Sequence, residues 1–279
     1  MIARVTRSTV LIGLVVLTLT GCDRQVSVEP PTDLDRWATS PDPGSLPVPR
    51  PWVATAIDAT GGLDDWLAVK KLVFEAVVTA FGPDGSSYFT EHTFEIYPWS
   101  GAIRITADEP QGRFVWQVVG GQYRLLEGGN TAAVSPLRDV YREYAEAVLQ
   151  ITTAPVRMID RSVSVSRRPT PLQIGGQWYD ALEAKFHPRP AGTKEEGPDA
   201  VVSADPYWTK GTYFQNQDRL ITDVIWLSKP AAQDHIAVRG YDYVPMGPGD
   251  VLIPTKIEVF ESSPEAGMER RLVLVDVTQ

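Results

Sequence analysis

The sequence has a single cysteine, Cys22, in 279 residues, which excludes an internal disulfide. The fold must therefore be stabilised by its hydrophobic core, and 43% apolar residues are enough for one large domain or two small ones. A lone cysteine can be core filler, a catalytic nucleophile, half of an intermolecular disulfide or a modification site. The residues that precede Cys22 decide among these roles.

Long hydrophobic runs are also scarce. The run from Val10 to Thr20 is shorter than the roughly 20 apolar residues that span a bilayer. It has the length of the apolar region of a secretory signal peptide, and Arg4 and Arg7 supply the positive charge that precedes such a region. Residues 1–21 are therefore predicted to be a signal peptide.

Leu19, Thr20, Gly21 and Cys22 resemble the lipobox of bacterial lipoproteins. In that family the cysteine sulfur receives a diacylglyceryl group, the signal is cleaved before the cysteine, and the new N-terminus is usually acylated, often with palmitate. The resemblance implies a lipid anchor at Cys22 and a domain on the periplasmic face of a membrane. Asp23 resembles the inner-membrane retention signal of enteric bacteria and favours that membrane. The alternative is a plain signal peptide, or an N-terminal helix whose cysteine is incidental.

Basic residues are fewer than acidic ones, 26 against 35. Cleavage before Cys22 leaves 258 of the 279 residues and removes Arg4 and Arg7, so that 24 basic residues remain against 35 acidic ones. The formal charge of the mature chain is then −11, from the same counts. Such a chain is repelled by nucleic acid phosphates and by anionic headgroups, so a nucleic acid partner or a basic binding surface is not expected.

Residues 22–51 have little hydrophobic periodicity and are rich in proline. This composition is typical of an extended chain, and we predict that it tethers a domain to the lipid anchor. Trp37 is the exception, and it is either an exposed linker residue or a contact with the body.

Residues 52–279 are predicted to form a single domain. Leu72, Phe74, Ala76 and Val78 alternate with Glu75 and Thr79 on the other face, which predicts a strand with one buried face. Similar segments separated by glycine and proline recur to the C-terminus, and after the interruption described below they are expected to resume at Leu172. They predict a mainly β (α+β) fold, an antiparallel meander of about ten or eleven strands with helices packed on one face.

One helix, predicted over 135–151, interrupts the strands. Its charged residues, among them Arg142, Glu143 and Glu146, lie opposite an apolar stripe, so a surface helix that covers an apolar interior is expected. The stripe consists of Leu137, Val140, Tyr141, Tyr144, Val148 and Ile151.

Catalytic signatures are missing. The histidines His92, His187 and His235 lack the spacing of a zinc site, and neither a Gly-x-Ser-x-Gly elbow nor a glycine-rich phosphate loop occurs. The acidic pairs Asp64-Asp65 and Glu195-Glu196 are more simply a helix start and loop charges. A Ser-His-Asp triad assembled from distant segments stays open. We expect no enzyme activity, no catalytic residue, no metal and no cofactor.

Three segments resemble proteins with the outer-membrane lipoprotein carrier fold (LolA/LolB-like): 56–66 with its continuation 69–74, 176–184, and 253–259. In that superfamily a curved, incomplete antiparallel barrel folds around helices on its concave face and leaves an apolar cavity for acyl chains. The carrier itself is not lipidated, so Cys22 brings this chain closer to the lipidated receptor. The resemblance implies a hydrophobic cavity, whose candidate lining residues are Phe74, Phe94, Phe114, Trp116, Tyr141, Tyr144 and Ile257.

The sequence leaves three functions open. The first is a membrane-anchored envelope lipoprotein that holds an acyl chain, a lipid or a lipoprotein in this cavity. The second is an envelope scaffold or partner-binding module with the same fold and a filled core. The third, with the least support, is a hydrolase.

Overall fold

The computed structural model describes residues 38–109, 112–119, 122–128, 141–188, 207–228, 235–263 and 267–278. Its helices are α1 (Pro51–Asp58), α2 (Leu63–Ala68), α3 (Tyr141–Thr152) and α4 (Ala154–Arg157), and a short 3₁₀ turn at Pro43–Ser45 precedes α1. The first strands are β1 (Leu72–Phe81), β2 (Ser87–Tyr97), β3 (Ala102–Glu109), β4 (Gly112–Val119) and β5 (Gln122–Gly128). The later strands are β6 (Val163–Arg167), β7 (Leu172–Ile174), β8 (Gln177–Phe186), β9 (Lys210–Asn216), β10 (Thr222–Ser228), β11 (His235–Met246), β12 (Val251–Ser263) and β13 (Gly267–Val277).

All the strands belong to one open antiparallel sheet. Its order is β5-β4-β3-β2-β1-β13-β12-β11-β10-β9-β8-β6, with β7 paired to β8. The two arms of the sheet, β1–β5 and β6–β13, are therefore joined where the first strand pairs with the last, from Ala76 opposite Val277 to Ala80 opposite Val273. The predicted mainly β, antiparallel fold class is confirmed.

Helix α3 lies inside the concavity of this sheet. It packs against β3 and β4 of the first arm and against β10, β11 and β12 of the second. Two arms that meet the same helix must curve around it, so the predicted position of the helices on the concave face is confirmed. The prediction of a surface helix is wrong for its described part, because every residue from Tyr144 to Thr152 is buried.

The predicted strand alternation is confirmed in β1, where Leu72, Phe74, Ala76 and Val78 are at most 2% exposed. Two predictions about the strands are wrong. The described residues contain thirteen strands instead of about ten or eleven, and the strands resume at β6, before Leu172. Strand β6 was missed because it has only five residues, alternates valine with serine and lies at the edge of the sheet.

Part of the predicted tether lies against the body. Leu46 packs on the main hydrophobic core, and the Ser40 hydroxyl donates a hydrogen bond to the carbonyl oxygen of Leu67 at 2.5 Å. The Arg161 guanidinium donates to the carbonyl oxygen of Ser45. Residues 38–50 are thus held on the domain rather than extended away from it, while the predicted boundary at residue 51 stays a prediction.

None of the helices in the described ranges has the length and apolar character needed to cross a membrane. The predicted signal peptide, Cys22 and Trp37 lie outside the described residues.

Candidate functional site

Four of the predicted cavity residues meet where α3 packs against the sheet. Phe74 on β1, Phe94 on β2, Trp116 on β4 and Tyr144 on α3 are each at most 1% exposed. The Phe74 and Phe94 rings stack with centroids 4.9 Å apart, and Tyr144 meets Phe94 edge to face at 6.0 Å. Trp116 lies 6.4 Å from Tyr144. These separations are those of aromatic rings in direct contact, so the four side chains form one packed group, called here the aromatic cluster.

The other predicted site residues are distributed differently. Phe114 and Ile257 are buried in the same main core, the first on β4 and the second on β12 of the opposite arm. Tyr141 begins α3, but its side chain lies outside the described part of the structure, as does Cys22. A role of these residues as cavity walls stays a prediction.

His92 extends the aromatic cluster with a polar group. Its position on β2 places its ring 5.6 Å from the Trp116 ring, edge to face, and its Nδ1 lies 3.2 Å from the Tyr144 hydroxyl oxygen. Its Nε2 is buried and has no hydrogen-bond partner. Burial lowers the pKa of His92 to about 3, so the imidazole is neutral at ordinary pH. An unsatisfied buried nitrogen is unusual in a folded protein.

Glu146 is a second polar group of the interior, although the helical pattern predicts an exposed position for it. It was predicted on the exposed face of the helix, yet its side chain is buried beneath the sheet. Burial raises the pKa of Glu146 to about 7, against the opposing effect of Arg157 and Arg142. One turn further along α3, Gln150 is also buried and accepts a hydrogen bond from the Tyr213 hydroxyl at 2.7 Å.

A groove of about 390 Å³ opens where α4, the β2–β3 turn and the end of the predicted tether meet. Its floor includes Val156 and Ile159, which belong to the same continuous core as the aromatic cluster. One wall is Trp99, whose Nε1 donates to the carbonyl oxygen of Trp66 at 3.1 Å. We call this feature the apolar groove; it is lined by Pro41, Ser45, Leu46, Pro98, Trp99, Val156, Ile159, Asp160, Arg161 and Ser162.

One rim of the apolar groove is polar and ordered. Asp160 accepts a hydrogen bond from Arg157 at 2.9 Å and another from the Ser162 hydroxyl at 2.7 Å. No local sequence pattern predicts this site, because its walls come from three separate segments, one of them assigned to the tether. Trp99, directly after a strand and a proline, was the one local signal.

The catalytic candidates do not assemble into a recognised site within the described residues. His187 and Ser164 form a surface pair, with Nε2 and Oγ 2.8 Å apart, and no carboxylate of the described chain is hydrogen-bonded to His187. No group of three metal-ligating side chains occurs in the same ranges. Asp64 and Asp65 lie in the first turn of α2, as predicted, and Glu195-Glu196 lies outside the described residues.

No protein-family model matches the chain, and no curated protein does so at a significant level. Several solved structures are similar to it at very low sequence identity, and three of them are described here. A LolA superfamily protein from Nitrosomonas europaea is 9% identical, with a TM-score of 0.48 over 84% of this chain and 93% of that one. A DUF1329 family protein from Desulfovibrio piger is 10% identical, with a TM-score of 0.38 over 82% of this chain and 90% of that one. An outer membrane lipoprotein-sorting protein domain from Vibrio parahaemolyticus is 8% identical, with a TM-score of 0.38 over 75% of this chain and 83% of that one.

Proposed function

We propose that the chain is a membrane-anchored lipoprotein of the cell envelope that binds a hydrophobic ligand: an acyl chain, a lipid or the lipid part of a lipoprotein. The observation that carries the proposal is the apolar groove, where Val156 and Ile159 of the buried core line an opening at the surface. Membership of the LolA/LolB-like family and the identity of the ligand stay predictions.

The size and polarity of the groove fit an amphiphilic ligand. Its volume of about 390 Å³ lies within the roughly 300–1,000 Å³ of ordinary ligand sites. Its apolar floor suits a hydrocarbon chain, while Asp160, Arg161 and Ser162 on one side provide hydrogen-bonding groups for a polar head. Because the floor is continuous with the core beneath α3, a ligand that enters here would meet the interior for which the cavity was predicted.

The proposal is tested by filling the groove. Leu46→Trp places a large ring on the lip of the groove, and we expect it to weaken binding of the apolar fluorescent probe N-phenyl-1-naphthylamine at least about fivefold, since about 1 kcal/mol of contact is lost. Val48→Trp is the matched control, since Val48 lies two residues away in the same segment and is 93% exposed. Fluorescence titration of the three full-length proteins gives the affinities. A wild type that binds no probe, or equal affinity in wild type and Leu46→Trp, would contradict the proposal.

The anchor is tested separately. Replacing Cys22 by serine removes the thiolate that is the acyl acceptor, so the variant should stay an unlipidated precursor. Metabolic labelling with a fatty-acid analogue should mark the wild type and leave the variant unlabelled. Equal labelling of both proteins would exclude Cys22 as the modified residue. Membrane fractionation of the labelled wild type then decides between the inner membrane, which Asp23 favours, and the outer membrane.

A second function is favoured by a different observation. The residues of the aromatic cluster pack directly on one another, as they would in a filled core. This supports an envelope scaffold or partner-binding module with the same fold. The probe titration separates the two functions, because a scaffold with a filled core would bind no apolar probe.

A further inference from the structure

Five strands of the second arm carry polar side chains at one register position. Lys185 on β8 is paired with Lys210 on β9, Lys210 with Ser228 on β10, Ser228 with His235 on β11, and His235 with Ser262 on β12. Directly paired residues of a sheet share a face. We call these five residues the polar row.

The polar row lies on the outer face of the sheet. Its neighbours along the strands, Ala184, Leu227 and Ile236, belong to the main core on the concave side. Since successive side chains of a strand point to opposite faces, the polar row points away from that core and from α3. The polar row is therefore separate from the apolar groove, and any ligand that it binds is additional to the one in the proposed function.

Two positive charges face each other in this row without compensation. Lys185 and Lys210 are exposed and directly opposite on adjacent strands, an arrangement that is destabilising for like charges. Neither ammonium forms an ion pair with a carboxylate of the described residues. An anion placed between them would remove the repulsion and gain two favourable interactions.

The two lysines lie in a groove on the outer face of the sheet. A groove of about 420 Å³, called here the outer groove, contains all five residues of the polar row together with Thr212 and Trp226. The indole Nε1 of Trp226 is shielded from solvent and has no acceptor. Glu183 provides the single carboxylate among the described lining residues of the outer groove. Its Oε1 accepts a hydrogen bond from Arg168 Nε at 2.6 Å. The outer groove thus combines several hydroxyl donors with two ammonium groups that have no carboxylate partner among the described residues.

We propose that the outer groove is a binding site for the phosphate group of a phosphorylated ligand. A phosphate offers several strong acceptor oxygens, which suits lysine ammonium groups and hydroxyl donors that line one groove. Trp226, which meets Phe214 edge to face at 5.0 Å, provides an aromatic surface for the organic part of the ligand. The local positive charge contrasts with the formal net charge of −9 of the whole sequence. That net charge disfavours binding to an extended anionic surface, whereas a single phosphate group in the outer groove interacts mainly with the two lysines.

The test uses the full-length protein in detergent and the double variant Lys185→Gln/Lys210→Gln. Isothermal titration calorimetry with inorganic phosphate and with glycerol 3-phosphate, at constant ionic strength, measures the affinity. We expect binding by the wild type and at least a tenfold loss in the double variant. The matched control is Lys70→Gln/Lys256→Gln, which removes the same charge from lysines outside the groove and should bind as the wild type does. Because the first double variant relieves a repulsion, its melting temperature without phosphate should not fall.

A vesicle arm distinguishes the two sources of a phosphate group. Sedimentation of the Cys22→Ser variant, which has no lipid anchor, is measured without detergent on phosphatidylglycerol and on phosphatidylcholine vesicles. A preference for phosphatidylglycerol reports on a lipid headgroup, and competition by free phosphate assigns that binding to the outer groove. Binding of glycerol 3-phosphate without vesicle binding assigns the site to a soluble phosphate ester. Absence of binding in every arm, or an equal loss in the two double variants, overturns the proposal. None of these outcomes depends on the apolar groove, so this site and the proposed function fail independently.

Discussion

Replacement of Trp116 by alanine is expected to lower the free energy of unfolding by about 3–5 kcal/mol, the usual cost of a large aromatic truncation in a core. Trp116 is fully buried on β4, and its ring contacts both His92 on β2 and Tyr144 on α3. The truncation therefore leaves a void between the sheet and its central helix, where neither side can collapse freely. Urea denaturation of the purified protein measures the change.

Trp178→Ala is the matched control for this experiment. Trp178 lies on β8 and is 52% exposed, so its removal should change the free energy of unfolding by less than about 1 kcal/mol. A cost for Trp116→Ala below about 1 kcal/mol, together with altered binding of the apolar probe, would contradict a packed cluster. It would assign Trp116 to the wall of a cavity, as the family resemblance implies.

The inner residues of the strands could be predicted from the sequence because their periodicity is local. The alternation of Leu72, Phe74, Ala76 and Val78 already separates the buried face of β1 from the exposed one, and Phe94 and Trp116 follow the same pattern on later strands. An alternating strand buries the same residues whichever neighbour it pairs with. The prediction of the fold class and of the interior therefore did not depend on the strand order.

The environment of α3 could not be read in the same way. Helical periodicity assigns Glu146 to a polar face and indicates nothing about how far a sheet curves around that face. Here the two arms enclose the helix from both sides, so that Glu146 and Gln150 are buried as well. Polar residues on a helix are ordinarily exposed, which is why the sequence pattern led to the wrong expectation.

Both grooves depend on contacts between segments that are distant in the chain. Lys185 and Lys210 are unremarkable strand charges until β8 and β9 pair in the observed register. Leu46 was assigned to a tether, and only its place beside Val156 and Ile159 in the lining of the apolar groove makes it part of a site. The sequence contains these residues but no local pattern that connects them.

Glu146→Gln is expected to remove a pH dependence of stability that the buried carboxyl creates. The pKa of Glu146 is raised from its usual 4.5 to about 7 in the folded protein, chiefly by burial. Between these two pH values the folded protein keeps a proton that the unfolded chain releases, so the stability falls as the pH rises from about 4.5 to about 7. Above pH 7 the carboxylate is charged in both states, and the folded state bears the full cost of the buried charge, about 3 kcal/mol.

The glutamine variant stays neutral at every pH and should therefore exceed the wild type in stability by up to about 3 kcal/mol at pH 8, while the two proteins should be nearly equal near pH 4.5. The pKa of His92 is lowered to about 3, and its effect below pH 6.5 cancels because both proteins contain it. Glu75→Gln, at an exposed position on β1, is the control and should follow the wild type throughout. Urea denaturation at half-unit steps from pH 4.5 to pH 8 measures the three curves. A constant difference between wild type and Glu146→Gln over this range would show that Glu146 is already ionised at pH 5, and would exclude a raised pKa in the folded protein.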